Sequence, residues 1–214
     1  MGVQVLTVTS QPFAENSYIV WRDSGTEALV IDPGFEPELI EQALADRGLK
    51  LVAIVLTHGH CDHIAGNAAL KRAHPEAPIS IGAGDAPMLT DASVNMGALF
   101  GFDVTSPPAD RLVAEGEVLQ AAGIDLEVFD VPGHSPGHVV YLIRDTQPFT
   151  VLGGDVLFRG SVGRTDFPGG NFEQLKAGIR RVLWPLPDDT VVYPGHGPVT
   201  TTGREKRSNP YVAG

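Results

Sequence analysis

Apolar positions recur along this chain mostly as short runs of four to eight residues, some continuous and some alternating with polar residues. That is the pattern of half-buried or fully buried strands. Val3–Thr9, Asn16–Trp21 and Ala28–Asp32 read as successive strands, with Gln11-Pro12 and Asp23-Ser24-Gly25 as the turns between them. A helical period replaces them after Pro37, where Leu39, Ile40, Ala43 and Leu44 form one apolar stripe and Gly48 ends it. The strand Leu51–Leu56, a helix over Ile64–Ala73 and a strand over Pro78–Gly82 come next.

The second half repeats this texture, with strands expected at Val118–Ala121, Ile124–Val131, Val139–Arg144, Phe149–Leu152 and Thr190–Tyr193, and a helix over Phe172–Trp184. Strands in both halves with helices between them imply a helix-sheet-sheet-helix sandwich. Residues 83–110 are the least regular, mixing Gly, Pro and Asp with exposed-looking Val94, Met96, Leu99 and Phe100. They are read as a short helix packing on the core, with a mobile flap beside a site as the functional alternative.

The residues suited to chemistry stand at the ends of the apolar runs. Leu51–Leu56 leads into Thr57-His58-Gly59-His60-Cys61-Asp62-His63, while His134, Asp155 and His196 each come just after another expected strand. Five imidazoles and two carboxylates, each placed past a strand end, are a donor set for borderline divalent ions: zinc first, then iron or manganese. Cys61 sits between His60 and Asp62 and is read as a spacer. His74, before Pro75, is read as a surface residue, and His138, four residues after His134 at a strand start, as a packing or surface residue, with a supporting place behind the histidine cluster as the alternative. Asp32 ends a strand facing the same edge and suits a carboxylate that orients a histidine from behind.

The sequence His58-x-His60-x-Asp62-His63, with Gly133-His134-Ser135, Gly154-Asp155 and Pro194-Gly195-His196, resembles the metallo-β-lactamase superfamily. The stretches Gly160–Gly170 and Tyr193–Thr201 are similar to its small glyoxalase II-like hydrolases. The resemblance runs from about Asn16 to the C-terminus and implies the αββα fold of that superfamily: two mixed sheets flanked by helices, with the metal loops at one edge. It implies that His58, His60 and His134 hold one metal ion, that Asp62, His63 and His196 hold a second, and that Asp155 bridges both. Asp62 and Asp155 are thus the expected catalytic carboxylates. Two such ions bring bound water to a pKa of about 7, so that a metal-bound hydroxide attacks without a serine or cysteine nucleophile. A thioester suits this chemistry, because its thiol, with a pKa of about 8.5, leaves as thiolate. S-Lactoylglutathione or a related S-acyl glutathione is the expected substrate.

The resemblance leaves a second enzyme open, an iron-dependent persulfide dioxygenase using His58, His134 and Asp155, and more distantly a non-catalytic metal-binding module. A β-lactamase is disfavoured by the acidic ligand at Asp62. Larger glyoxalase II enzymes carry an additional C-terminal helical region, whereas here only 18 residues come after His196 (214 − 196). Arg164, Arg204 and Lys206 are the candidate substrate contacts, with Arg207 completing a short basic cluster. Arg164 with Asp166 suits equally a structural ion pair or the substrate wall.

Composition adds exclusions. A net charge of −11 opposes a nucleic-acid partner. One cysteine excludes an internal disulfide and suits a reducing compartment. No apolar run reaches the length of a membrane span, and no signal-like start is present, so a cytoplasmic, unanchored enzyme is expected. At 214 residues with 43% hydrophobic and 19% charged side chains, the chain is expected to form one domain over residues 1–214.

Overall fold

The computed structural model describes residues 2–213. Its first half builds a sheet ordered β1 (Val3–Ser10), β2 (Glu15–Arg22), β3 (Glu27–Ile31), β4 (Lys50–Val55), β5 (Ile79–Gly82) and β6 (Arg111–Val113). The three N-terminal strands run antiparallel, and β3 to β6 run parallel, which requires crossovers. The helix α1 (Pro37–Ala45) supplies the first crossover, and α2 (Cys61–Ile64) with α3 (Asn67–Ala73) supplies the second. The helix expected over Ile64–Ala73 is therefore two pieces, broken at Gly66, whose backbone N–H donates to Pro33 O at 2.8 Å.

The second sheet is ordered β14 (Thr200–Thr201), β13 (Val191–Pro194), β10 (Thr150–Gly154), β9 (Val139–Ile143), β8 (Ile124–Asp130) and β7 (Val118–Ala121). Only β10 and β13 pair in parallel, around the crossover helix α4 (Phe172–Val182). A small hairpin of β11 (Leu157–Phe158) and β12 (Ser161–Val162) stands apart, and α5 (Thr202–Ser208) comes after β14.

Strand alternation explains the layering, since successive residues face opposite sides of a sheet. Leu29, Ile31, Ala53 and Val55 face inward and meet Leu126, Val128, Tyr141 and Leu152 of the second sheet. Their neighbours Val30 and Ile54 face outward onto Ile40, Leu44 and Leu70 of the helices. On the far side, Val140, Leu142, Val151 and Val192 take Leu175, Ile179 and Val182 of α4. Both sheets are mixed and helices flank them, so the αββα sandwich expected from the sequence is the observed fold.

Three local expectations change. Leu39, counted in the apolar stripe of α1, is 43% exposed, because Ile40 and Leu44 alone fill the inward face. Residues 83–110 form two stretches of 3₁₀ helix, Ala83–Thr90 and Ala98–Phe100, that divide the two roles considered for them. Leu89 and Met96 are buried, whereas Val94, Leu99 and Phe100 stay exposed. Finally, α5 has no apolar stripe and was not expected. It is held by buried Glu205, which accepts from Gly160 N at 2.8 Å, Thr200 Oγ1 at 2.5 Å and Asn209 Nδ2 at 3.0 Å. No helix among the described residues is long and apolar enough to cross a membrane.

Candidate metal centre and active site

The C-terminal ends of β4, β8, β10 and β13 converge on one edge, carrying His58 to His63, His134, Asp155 and His196 respectively. The two halves are tied together there. Val139 N donates to Thr57 O at 2.9 Å, and Tyr141 Oη donates to Leu56 O at 2.8 Å. Asn16 Nδ2 donates to Pro194 O at 3.1 Å and Gly197 O at 2.8 Å, and Tyr18 Oη donates to Pro194 O at 2.5 Å. The loop that presents His196 is thus clamped by β2, from the far end of the chain.

Three groups of donors result, His58 with His60 and His134, Asp62 with His63 and His196, and Asp32 with His58 and His63, each with one ligand atom per residue within 4.8 Å of the others; the first two face the cavity as separate clusters, and Asp32 stands behind them. Asp155 stands between the first two. Its Oδ2 lies 3.4 Å from His134 Nε2 and 3.6 Å from His196 Nε2, and its Oδ1 lies 3.5 Å from His63 Nε2. His58, His63 and His134 are buried, while Asp62 and His196 are partly exposed toward the cavity.

Each inner ring is turned by a partner on its far nitrogen, the arrangement that fixes ligating histidines. His58 Nδ1 meets Thr57 Oγ1 at 3.0 Å, His63 Nδ1 meets Asp32 Oδ2 at 3.1 Å, and His134 Nδ1 meets Arg164 O at 2.8 Å. Asp32 also accepts from Thr57 N at 2.7 Å and Thr57 Oγ1 at 2.6 Å. This leaves the Nε2 atoms of His58 and His63, and Asp155 Oδ1, buried with no hydrogen-bond partner. Buried polar atoms are rarely left so, since each costs roughly 1–3 kcal/mol. Orphaned lone pairs aimed into a shared space, on nitrogen and carboxylate donors, fit divalent cations.

The charge states differ between the two clusters. Burial, reinforced by His63 and His138, holds His58 well below the ordinary imidazole pKa, and burial with His134 does the same for His60, so both rings stay neutral. Burial by itself would lower His63 too, yet Asp62, Asp155 and Asp32 outweigh it and raise its pKa well above the usual value. His196 is raised by Asp155 and its hydrogen bond to Asp62 against the same opposing effect of burial. For Asp62, burial is overcome by His63 and His196, which hold its carboxyl below the ordinary range.

Three further residues complete the edge, of which Asp85 was not singled out by the sequence. Asp85 accepts from Gly59 N at 3.1 Å and Ser135 Oγ at 2.6 Å through Oδ2, and from Gly137 N at 2.6 Å through Oδ1, which joins the loops carrying His58 and His134. His138 is fully buried rather than a surface residue. It stacks on His58 with ring centroids 4.7 Å apart, and its Nε2 accepts from Asp155 N at 3.1 Å. Gly195 is needed as glycine, because a Cβ there would strike Asp155 Oδ1 and come within 2.6 Å of His63 Cε1.

Arg164 lines the cavity over this edge and forms a bidentate ion pair with Asp166 at 2.7 and 2.8 Å. Arg204 and Lys206 lie on α5, outside the lining of that cavity. Lys206 Nζ donates to Leu186 O at 2.7 Å and Asp188 Oδ1 at 3.1 Å, and Arg207 pairs with Asp188 at 3.0 Å. Cys61 opens α2, and burial pushes its thiol up to about 12. His74 is half-buried against Glu41 at 3.1 Å, away from the donor clusters.

A sandwich of two mixed sheets with a histidine and aspartate cluster at one edge defines a class of metal-dependent enzymes. Residues 10–196 match the metallo-beta-lactamase superfamily, and the chain belongs to it. Hydroxyacylglutathione hydrolase GloC of Haemophilus influenzae is 37% identical over 214 residues, covering 99% of this chain and 98% of that protein. The crystal structure of BLEG-1 B3 metallo-beta-lactamase superposes with a TM-score of 0.93 at 35% identity, covering 99% of this chain and 100% of that one. TTHA1623 in a di-iron-bound form gives 0.85 at 39% identity, covering 97% and 100%.

Proposed function

We propose that this chain is a dinuclear metal-dependent hydrolase of thioesters, with S-lactoylglutathione or a related S-acyl glutathione as its substrate. The observation that carries the reading is the pair of donor clusters whose inner atoms, His58 Nε2, His63 Nε2 and Asp155 Oδ1, are buried without partners. His58, His60 and His134 would hold one cation, Asp62, His63 and His196 the other, and Asp155 both. Divalent cations bound there supply Lewis acidity, which polarises a carbonyl and brings a coordinated water to a pKa of about 7.

The protein's own part is placement. Thr57, Asp32 and the Arg164 carbonyl fix which nitrogen each ring presents, and Asp85 holds two ligand loops at one separation. The cavity opens over His60, Asp62, His134, Asp155 and His196, so a carbonyl entering it faces both donor clusters. A thiol leaves as its anion, so no side-chain acid is required opposite the attacked face. The likeness to a hydroxyacylglutathione hydrolase over nearly the whole of both chains supports the same substrate class.

The test is metal analysis of protein purified without added metal, followed by assay of the zinc and iron forms. About two zinc ions per chain and cleavage of S-lactoylglutathione are expected. Oxygen uptake with glutathione persulfide by the iron form, without thioester cleavage by the zinc form, would replace this reading with a persulfide dioxygenase.

A further inference from the structure

The cavity above the metal centre has a volume of about 320 Å³, at the small end for ligand sites. Its wall is dominated by Phe13, Met96, Phe100, Phe158, Val162 and Phe167. Phe100 stands edge-on to Phe13 at 5.4 Å and to Phe167 at 6.1 Å, so the three rings form an arc around the mouth. Phe13 is braced from behind by Phe35 at 5.7 Å and Phe102 at 5.7 Å. The arc reaches the donor clusters themselves, with Phe167 5.7 Å from the His60 ring and Phe158 6.1 Å from the His196 ring. A group one or two bonds from a carbonyl at the metal centre therefore lies against aromatic carbon.

Cationic recognition is scarce on the same wall. Arg164 is the one Lys or Arg lining it among the described residues. Its Nε and Nη2 edge is taken by Asp166, and its guanidinium lies 3.8 Å over the Phe167 ring, which leaves the Nη1 side as its remaining donor edge. The two glutathione carboxylates thus meet a single cation there, already paired with Asp166 along one edge, and the chain's net charge of −11 opposes them further. Meanwhile Phe100, 43% exposed, leaves apolar surface uncovered at the mouth, which a bound apolar group would remove from water.

We infer that the site selects thioesters bearing an apolar, ring-sized substituent, on either the acyl or the thiol side, over the small polar lactoyl group on glutathione. This rests on the thioester hydrolase reading above and refines its substrate.

The experiment crosses two acyl groups, lactoyl and phenylacetyl, with two thiols, glutathione and benzyl mercaptan. Each kcat/KM of the zinc-loaded protein is divided by the rate of alkaline hydrolysis of the same compound, to remove intrinsic reactivity. At least one apolar member should exceed S-lactoylglutathione tenfold, and the arm that gains identifies the side of the thioester that meets the rings. Phe100→Ala should shrink that ratio severalfold. A ratio of one or below for all three apolar members, with S-lactoylglutathione cleaved, overturns the inference and leaves the hydrolase reading standing. If no thioester is cleaved, the hydrolase reading falls, and binding decides the inference. Calorimetry should then show inert S-benzylglutathione binding at least tenfold more tightly than S-methylglutathione, and equal binding overturns it.

Discussion

Replacing Asp32 with asparagine changes one atom and, through it, the proton on a proposed metal ligand, His63. Asp32 accepts three hydrogen bonds, from Thr57 N, Thr57 Oγ1 and His63 Nδ1. Asparagine is the informative substitution because it keeps the shape of the side chain, and because Asp32 has φ of 47°, a left-handed conformation that asparagine adopts at less cost than most residues. In Asp32→Asn the oxygen can keep the Thr57 N bond, but the new NH₂ faces His63 Nδ1. That nitrogen must then accept, so the ring proton moves to Nε2, the atom 3.5 Å from Asp155 Oδ1. The cation held by Asp62, His63 and His196 must displace this proton and loses the carboxylate that orients the ring. Loss of such a partner lowers metal affinity by about 10–100-fold, which is about 1.4–2.8 kcal/mol. The cation held by His58, His60 and His134 should be affected far less. Competition with a chromophoric zinc chelator resolves the two affinities, and far-UV circular dichroism checks that the fold is retained. Equal affinity for the second ion in both proteins, with the fold intact, would refute the argument that Asp32 sets the His63 tautomer.

Four further outcomes are expected. Asp155→Asn should abolish turnover and reduce bound metal, measured per chain after desalting, because an amide cannot supply negative charge to both clusters; full turnover with two ions would remove its bridging role. Gly195→Ala, whose Cβ has no room beside Asp155 and His63, should lower metal retention more than any exposed glycine, such as Gly48, changed in the same way. Cys61→Ser should leave metal content unchanged, and the native thiol should alkylate slowly at pH 8, where a thiol with a pKa near 12 is only roughly one part in ten thousand thiolate. Zinc titrated into the metal-free protein near neutral pH should release protons mainly with the second ion: His63 and His196 have raised pKa values and keep their protons until pH rises through them, so affinity there falls as pH falls. A pH indicator in weak buffer reads this directly.

The donor set was legible in the sequence because a strand end is a local signal, and each of His58, His60, Asp62, His63, His134, Asp155 and His196 lies just past an apolar run. Fold class was legible for the same reason, since strand and helix periods differ. Residues whose meaning depends on distant partners were not. Asp85 joins two loops through Gly59 and Ser135, 26 and 50 residues away, yet in sequence it sits in an irregular stretch without a period. Asn16 and Tyr18 read as ordinary strand residues, and their hold on Pro194 exists only after the sheets meet. Phe13, between Pro12 and Ala14, gave no sign of its place on the cavity wall. The helix α5 escaped because a buried carboxylate, rather than an apolar stripe, anchors it.

Four of the seven proposed metal donors lie within the six residues from His58 to His63, while His196 reaches them only after β13 has paired with β10 and the clamp of Asn16 and Tyr18 has closed. The short segment keeps its imidazoles together even when the rest of the chain is unfolded, so the denatured ensemble competes for the same cation. Ligand stabilisation is governed by the difference between native and denatured affinity, and binding to the denatured chain reduces it. Added zinc should accordingly raise the melting temperature by less than its native affinity alone dictates.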